Sequence, residues 1–383
     1  MAAQKTLLFV TTADTDLLTA DHALAGLPQD FPKVLAYNPA ALHTQEERDG
    51  LLRAAGQAGV VALRLLGGKR SMPELFEPLV RGCKARGIPL IACPGHQEWD
   101  EDLVSACSVP PAQVEAVFSY LMRGGEQNIR NLFLFLSDSY LGTSYGYAGP
   151  SALPWEGIYH PDVAEGTGVE AYVEQRFKPG RPSIGLLFYR AHWMSGNLQS
   201  VDALIRRLEA LGANVLPVFS YSLKHNPEED GRAERAGASE PSAGANRTFT
   251  EFLAGPDGLA RVHCIVNTMG MSMSELSKEG PALASGWSVE YLDRLNIPII
   301  QAIVSTGTEE EWLESSLGLG PIDTAMSVAL PEFDGRIISV PISFKEVNAA
   351  PRTSRIEARL QRYVPREDRV DHVARLAIKW AHL

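Results

Sequence analysis

Apolar residues along this chain fall in short runs, each closed by polar or turn-forming residues, and that rhythm predicts most of the secondary structure. Residues 7–11 form a short apolar run that ends at polar Thr11-Thr12-Ala13-Asp14, the pattern of a buried strand opening into a loop. Residues 33–37 predict a second strand and 44–58 a helix, where Thr44 and Glu47 have the spacing of a capping box. A strand over 60–66 ends at Gly67-Gly68, a helix follows Pro73 and stops near Gly87, and 89–93 predict the next strand. A helical stretch over 111–137 is broken at Gly124-Gly125. The alternation restarts later, with strands at 184–189, 214–220, 262–268, 298–304 and 337–342. Helices are expected at 198–211 (stopped by Gly212), 248–253, 288–295, 309–316, 352–363 and 366–383. Residues 228–246 contain no aromatic and no branched aliphatic side chain, so they predict an exposed loop.

Strands and helices alternating at this spacing predict parallel sheets covered by helices on both faces. The expected fold is α/β: two tandem parallel-sheet, flavodoxin- or Rossmann-like units joined by an irregular connector, with helices at the C-terminus. The expected boundaries are an N-terminal α/β domain over 1–140, a connector rich in Gly, Pro and Tyr over 141–182, a second α/β domain over 183–350, and a helical segment over 351–383.

Composition agrees with this and removes several classes of function. The 383 residues allow two or three domains at roughly 150 residues each. A hydrophobic share of 45% and a charged share of 21% exclude a mainly disordered or coiled-coil chain. Lys and Arg number 35 against 46 Asp and Glu, a net charge of −11, so no global basic field exists to hold nucleic acid. Four cysteines in such a length point to a reducing, cytoplasmic setting. Apolar runs such as 131–136 fall far short of the ~20 residues of a membrane span, and 7–10 is too short for a signal peptide.

Generic motifs are absent. Gly67-Gly68-Lys69-Arg70 lacks the first Gly and the Ser or Thr of a P-loop, and Gly318-Leu319-Gly320 follows a helix and lacks the third Gly of a dinucleotide fingerprint. No nucleotide site is therefore expected in this chain. There is no HExxH and no paired CxxC; Cys93-Pro-Gly-His96 and His263-Cys264 are the nearest groupings to metal ligands. Gly270-Met-Ser272-Met-Ser274 lacks the closing Gly of a nucleophile elbow.

Longer strings are more informative. They are Phe188-Tyr-Arg-Ala-His-Trp-Met-Ser-Gly-Asn197 running on through Ala210 to Lys224, then Glu310-Glu-Trp-Leu-Glu-Ser-Ser-Leu-Gly-Leu-Gly-Pro-Ile-Asp323, then Met326-Ser-Val-Ala-Leu-Pro-Glu-Phe-Asp-Gly-Arg-Ile337 with Ile342-Ser-Phe-Lys-Glu346. Gly124-Gly125-x-x-Asn128 and Gly157-Ile-Tyr-His-Pro161 add to them. Together they resemble the large subunit of cobaltochelatase, the CobN type, a family homologous to the large, H-type component of magnesium chelatase. His225 after Lys224, Asn267-Thr-Met-Gly-Met-Ser272 and Cys93-Pro-Gly-His96 depart from its pattern.

The resemblance implies insertion of Co(II), as substrate metal, into the corrin precursor hydrogenobyrinic acid a,c-diamide in aerobic cobalamin biosynthesis. It implies two AAA+-related partner subunits, of the CobS and CobT type, that hydrolyse the ATP. Family members are three times this length or more, so the chain matches their N-terminal portion. The helical pattern running to Leu383 without a stop signal fits a missing C-terminal region, and the fragment is expected to be inactive alone. A magnesium or salvage-type tetrapyrrole chelatase subunit, or a non-catalytic tetrapyrrole-binding adaptor, are the alternatives.

Metal insertion needs a group to take the ring N–H protons, and donors for the substrate's peripheral carboxylates. His192 is the expected catalytic residue, as base or metal ligand, with a loop-orienting histidine as the bland alternative. Arg190 and Asn197, beside it at a strand end, are expected to contact substrate. Glu332 and Asp334 either attract the metal or neutralise Arg336, itself a candidate for substrate carboxylates. Lys345 is a substrate contact or part of an ion pair with Glu346. Gly124, Gly125 and Asn128 either touch substrate or serve a helix break. Trp193, Trp287 and Trp312 either stack on a ring or pack in a core.

Overall fold

Strand β1 (Leu7–Thr11) is buried at every position, as its continuous apolar run requires when helices cover both faces of a sheet. In the computed structural model, which describes residues 6–96, 99–223, 248–272, 275–276, 287–288, 295–351 and 356–383, the chain divides into two units. The first comprises Met1–Leu153, Met194–Gly196 and Val347–Arg362, and the second Pro154–Trp193, Asn197–Glu346 and Tyr363–Leu383.

In the first unit β1 leads to α1 (Asp14–Ala25), β2 (Val34–Tyr37), α2 (Gln45–Ala55), β3 (Val60–Leu65), α3 (Phe76–Arg86) and β4 (Leu90–Pro94). The short α4 (Glu101–Val104) and the longer α5 (Pro111–Arg123) and α6 (Gly125–Tyr140) follow. The sheet runs Ile356–Glu357, β2, β1, β3, β4, and every pairing is parallel. One face packs on α1, α5 and α6 through Leu17, Leu24, Val117 and Phe133; the other packs on α2 and α3 through Leu51, Phe76 and Leu79. Burying each such side chain contributes roughly 1.5–3 kcal/mol. The Thr44–Glu47 capping box forms as expected, and Gly87 ends α3 in the left-handed conformation. Helix α1 was not expected from the sequence. It buries Asp16, Leu17, Leu18, Thr19, Ala20 and Asp21 in succession, so it has no polar face to give a helical period.

The second unit contains β5 (Glu156–Ile158), α7 (Val169–Arg176), β6 (Ser183–Tyr189), α8 (Arg190–Ser195), α9 (Gln199–Ala210) and β7 (Asn214–Ser220). A π-helical turn (Thr248–Leu253), β8 (Cys264–Asn267), β9 (Ile299–Val304) and α10 (Glu309–Glu314) come next. Pro321–Asp323, Thr324–Ala329 and Leu330–Phe333 run on as one helical stretch before β10 (Ile337–Ala349), β11 (Leu360–Pro365) and α11 (Glu367–Ala381). The strand order is β11-β10-β9-β8-β6-β7-β5; neighbours from β10 to β7 are parallel, and β5 lies antiparallel to β7. Helices α9 and α11 cover one face through Leu204, Leu208, Val373 and Ala377, while Tyr172, Phe252 and Leu253 pack on the other. Both units are thus mixed α/β.

Three expectations need correction. The helix expected over 352–363 is extended where described: Ile356–Glu357 adds to the first sheet and β11 to the second. Ile356 and Leu360 are buried there, so pairing at two sheet edges overrides the helix preference of a segment rich in Arg, Glu and Leu. The 351–383 segment is therefore helical only at Glu367–Ala381. The connector expected to be irregular holds a strand, β5, and a helix, α7. Trp287–Ser288 is extended at the start of the expected 288–295 helix, most of which lies outside the described residues, as do the 228–246 loop and Lys224 with His225.

Candidate functional site

In the second unit β6 passes directly into α8, so Arg190 and His192 leave the sheet at the carboxyl end of a parallel strand, where α/β folds place ligands. Arg190 is 1% exposed. Its Nε donates to the Pro154 carbonyl at 2.7 Å, and its guanidinium lies 4.6 Å over the Trp155 ring. His192 is buried against Tyr189 and Tyr363, with ring centroids 6.4 and 5.2 Å away. Burial lowers its pKa to about 4, so the imidazole is neutral at physiological pH. Of the two expected roles, base or metal ligand, the base would need a pKa nearer neutrality than this burial gives.

Tyr363, which the sequence pattern does not single out, gathers three of the expected residues. Its ring meets His192 edge-on at 76°, its amide donates to Asn197 Oδ1 at 3.1 Å, and the Lys345 ammonium lies 5.9 Å from its ring. The Asn197 amide closes the turn by donating to the His192 carbonyl at 3.0 Å. Tyr363 sits in a stretch that reads as helix, which hides its position on a strand.

A second cluster forms around Arg336. Its Nη2 contacts Asp334 Oδ2 at 2.6 Å, and both side chains are fully excluded from solvent. The same guanidinium donates to Gln301 Oε1 at 2.8 Å and to the carbonyls of Met271 and Met269 at 2.8 and 3.3 Å. Asp334 also accepts from Ser272 Oγ at 2.6 Å, and Asn267 Nδ2 donates to Gln301 Oε1 and the Met269 carbonyl at 2.8 Å each. Tyr189 Oη donates to the Gly270 carbonyl at 3.2 Å, and burial pushes its phenol pKa up to about 12. The 267–272 loop, one of the segments that depart from the expected family pattern, is therefore held by a buried cation from the start of β10. Tyr189 joins this cluster to His192.

Glu332 and Asp334 are not brought to one site: Glu332 is exposed, while Asp334 faces Arg336 and Ser272. Among the described residues no group of three or more His, Cys, Asp or Glu is arranged to hold a metal ion. His263 Nδ1 accepts the Ser183 amide at 2.9 Å, and Cys93 and Cys264 are buried strand residues whose thiol pKa values burial raises. Trp193 stacks on Phe219 at 4.3 Å, and Trp312 lies between Phe344 and the Arg369 guanidinium; the Trp287 side chain lies outside the described residues.

Gly124, Gly125 and Asn128 belong to the first unit and shape the α5–α6 break. A Cβ on Gly124 would lie 2.8 Å from Met194 Sδ, and one on Gly125 2.5 Å from Leu153 Cδ1. Asn128, 1% exposed, donates to the carbonyls of Gly124 and Ser151 at 2.8 and 2.9 Å and accepts the Ser151 amide at 2.8 Å. His160 of the Gly157–Pro161 string accepts the Asp162 amide through Nδ1 at 3.1 Å and meets Glu209 through Nε2 at 3.2 Å.

The CobN/magnesium chelatase family model matches residues 118–383. The chain belongs to this family. Aerobic cobaltochelatase subunit CobN of Pseudomonas aeruginosa is 33% identical over 381 residues, covering 98% of this chain and 28% of that protein. The H-type magnesium-chelatase subunit of Rhodobacter capsulatus is 31% identical over 223 residues, 56% of this chain and 16% of that protein. The solved catalytic subunit of cobaltochelatase from Mycobacterium tuberculosis aligns with 99% of this chain and 27% of its own length, at 30% identity and a TM-score of 0.60. The chain thus spans less than a third of these family relatives. The His192–Tyr363 and Arg336–Asp334 groups both lie in the part that the family model matches.

Proposed function

We propose that this chain is the N-terminal, tetrapyrrole- and metal-binding part of a cytoplasmic cobaltochelatase, a ligase that forms nitrogen–metal bonds. It works on Co(II) and hydrogenobyrinic acid a,c-diamide in aerobic cobalamin biosynthesis, with ATP hydrolysed by two AAA+-related partners of the CobS and CobT type. The observation that carries this reading is the match along 98% of the chain to a subunit named aerobic cobaltochelatase, against 56% for the Rhodobacter magnesium-chelatase protein. The two sheets are, in this reading, tandem flavodoxin-like units: β7-β6-β8-β9-β10 in the second follows the 2-1-3-4-5 order of that class, and β2-β1-β3-β4 in the first follows its first four positions, with Ile356–Glu357 added on the β2 edge.

The roles follow from the chemistry of each side chain. His192, neutral at physiological pH, offers a nitrogen to Co(II) without first losing a proton; that favours a ligand over a base. Lys345, half-buried beside Tyr363, supplies positive charge for the carboxylates at the corrin rim; Arg190, buried against Pro154 and Trp155, supports the strand end that carries His192 rather than touching substrate, and Asn197 fixes the turn after it. Arg336 and Asp334 hold the 267–272 loop in shape for substrate. Exposed Glu332 can meet the hydrated ion, while Gly124, Gly125 and Asn128 keep the α5–α6 break in the first unit. Absorbance titrations of this chain with the corrin precursor and with protoporphyrin test the substrate assignment. Tighter binding of the corrin, weakened by Lys345→Ala, is expected; preference for the porphyrin would move the chain to the magnesium branch.

A further inference from the structure

The helical stretch from Pro321 to Phe333 is amphipathic in the inverted sense. Its buried residues are Asp323, Ser327 and Pro331, four apart on one face, whereas Ile322 is 66% and Phe333 62% exposed. The helix is held in this orientation by hydrogen bonds. Asp323 accepts from Ser305 Oγ at 2.7 Å and from the Thr306 hydroxyl at 2.8 Å, and the Met326 carbonyl accepts the Met271 amide at 2.6 Å. Rolling the apolar face inward would break all three and leave the buried Ser305 hydroxyl without its acceptor.

The segment just before it, α10 and the residues that follow, exposes further apolar side chains. Trp312 packs on Phe344 and under Arg369, which leaves Leu313 66% and Leu317 90% exposed. Four large apolar side chains presented within 21 residues form a run of the kind that marks an interaction site. Residues 309–335 also carry seven acids and no Lys, Arg or His. Glu309 pairs with Arg366, Asp334 with Arg336, and Asp323 caps the 305–306 loop, while Glu310, Glu311, Glu314 and Glu332 lie exposed beside the apolar residues.

We infer that this acidic, apolar strip is the docking surface for an amphipathic segment of another polypeptide, with an apolar face flanked by Lys and Arg. A second copy of this chain would set acids against acids, and an anionic membrane would meet the same repulsion; a basic amphipathic segment satisfies both the apolar face and its rim.

Fluorescence anisotropy of the 383-residue chain tests this with two labelled synthetic peptides, one of Leu and Lys at helical spacing and one of Leu and Glu. The Leu/Lys peptide should bind, and Ile322→Ser or Phe333→Ser should each weaken it by about tenfold. The double variant Glu310→Lys/Glu314→Lys should weaken it similarly and improve binding of the Leu/Glu peptide. Glu115→Lys, an exposed acid in the first unit, should change nothing. All these positions are exposed, and circular dichroism of each variant checks that the fold is kept. Affinity for the Leu/Lys peptide that ignores the strip variants but follows Glu115→Lys would overturn the inference. So would a concentration-dependent dimer, or binding to phosphatidylglycerol vesicles, that Phe333→Ser abolishes.

Discussion

Asp334 and Arg336 form an ion pair 2.6 Å long with neither side chain exposed to solvent, and through it the start of β10 holds a loop more than 60 residues earlier in the chain. Such a pair is costly to break on one side only, because the remaining charge stays buried without its partner. Asp334→Asn should therefore destabilise the second unit by about 3–5 kcal/mol. Urea unfolding measures this directly. The double substitution Asp334→Leu/Arg336→Met should recover a large part of the loss, and a double variant no more stable than Asp334→Asn would show that Arg336 matters through its bonds to the Met269 and Met271 carbonyls instead.

The buried His192 makes stability depend on pH in a defined window. Its folded pKa, about 4, lies below the ordinary 6.5, so below 6.5 the unfolded chain binds a proton that the folded chain refuses. Its contribution is complete above about pH 6.5, and stability falls as pH is lowered towards 4 by up to about 3 kcal/mol, at 1.4 kcal/mol per unit. His192→Gln should flatten that part of the profile while leaving the carboxylate-driven loss at lower pH. A wild-type profile already flat between pH 6.5 and 4.5 would mean that His192 is solvated.

Gly125 and Gly146 have the same φ of 77°, yet only the first has a neighbour in the way. A Cβ at Gly146 meets nothing within 4 Å, so Gly146→Ala carries the backbone penalty alone, about 1 kcal/mol. Gly125→Ala adds a clash with Leu153 and should lose a further 1–3 kcal/mol. Thermal unfolding of the two variants side by side checks the difference, and equal losses would mean that Leu153 moves aside freely.

Much of the fold was legible because local signals and tertiary packing agree. The Thr44–Glu47 cap, the Gly87 stop, the Gly124-Gly125 break and the apolar runs of β1, β3, β6 and β7 each stand where the pattern places them. Misses arise where tertiary contacts invert or erase the pattern. Helix α1 is buried too far round to show a period, and the 321–333 helix turns its polar face inward. Residues 356–365 are drawn into two sheets against their composition. Within the candidate site, the strings carrying His192, Asn197, Arg336 and Lys345 could be read directly. Tyr189 and Asn267 lie in strings that stood out as well, but with no role attached, and Tyr363 and Gln301 could not be read at all, since each is an ordinary strand residue until the chain is folded.

The role proposed for this chain is that of the N-terminal part of a cobalt chelatase subunit. Its most direct test is reconstitution: this chain, the downstream polypeptide and both ATPase partners, mixed with Co(II), ATP and hydrogenobyrinic acid a,c-diamide, with metal insertion followed by the absorbance of the corrin. ATP-dependent cobalt insertion that needs this chain and falls sharply with His192→Ala is expected. Insertion at the same rate when this chain is left out, or none from the complete mixture, would contradict it.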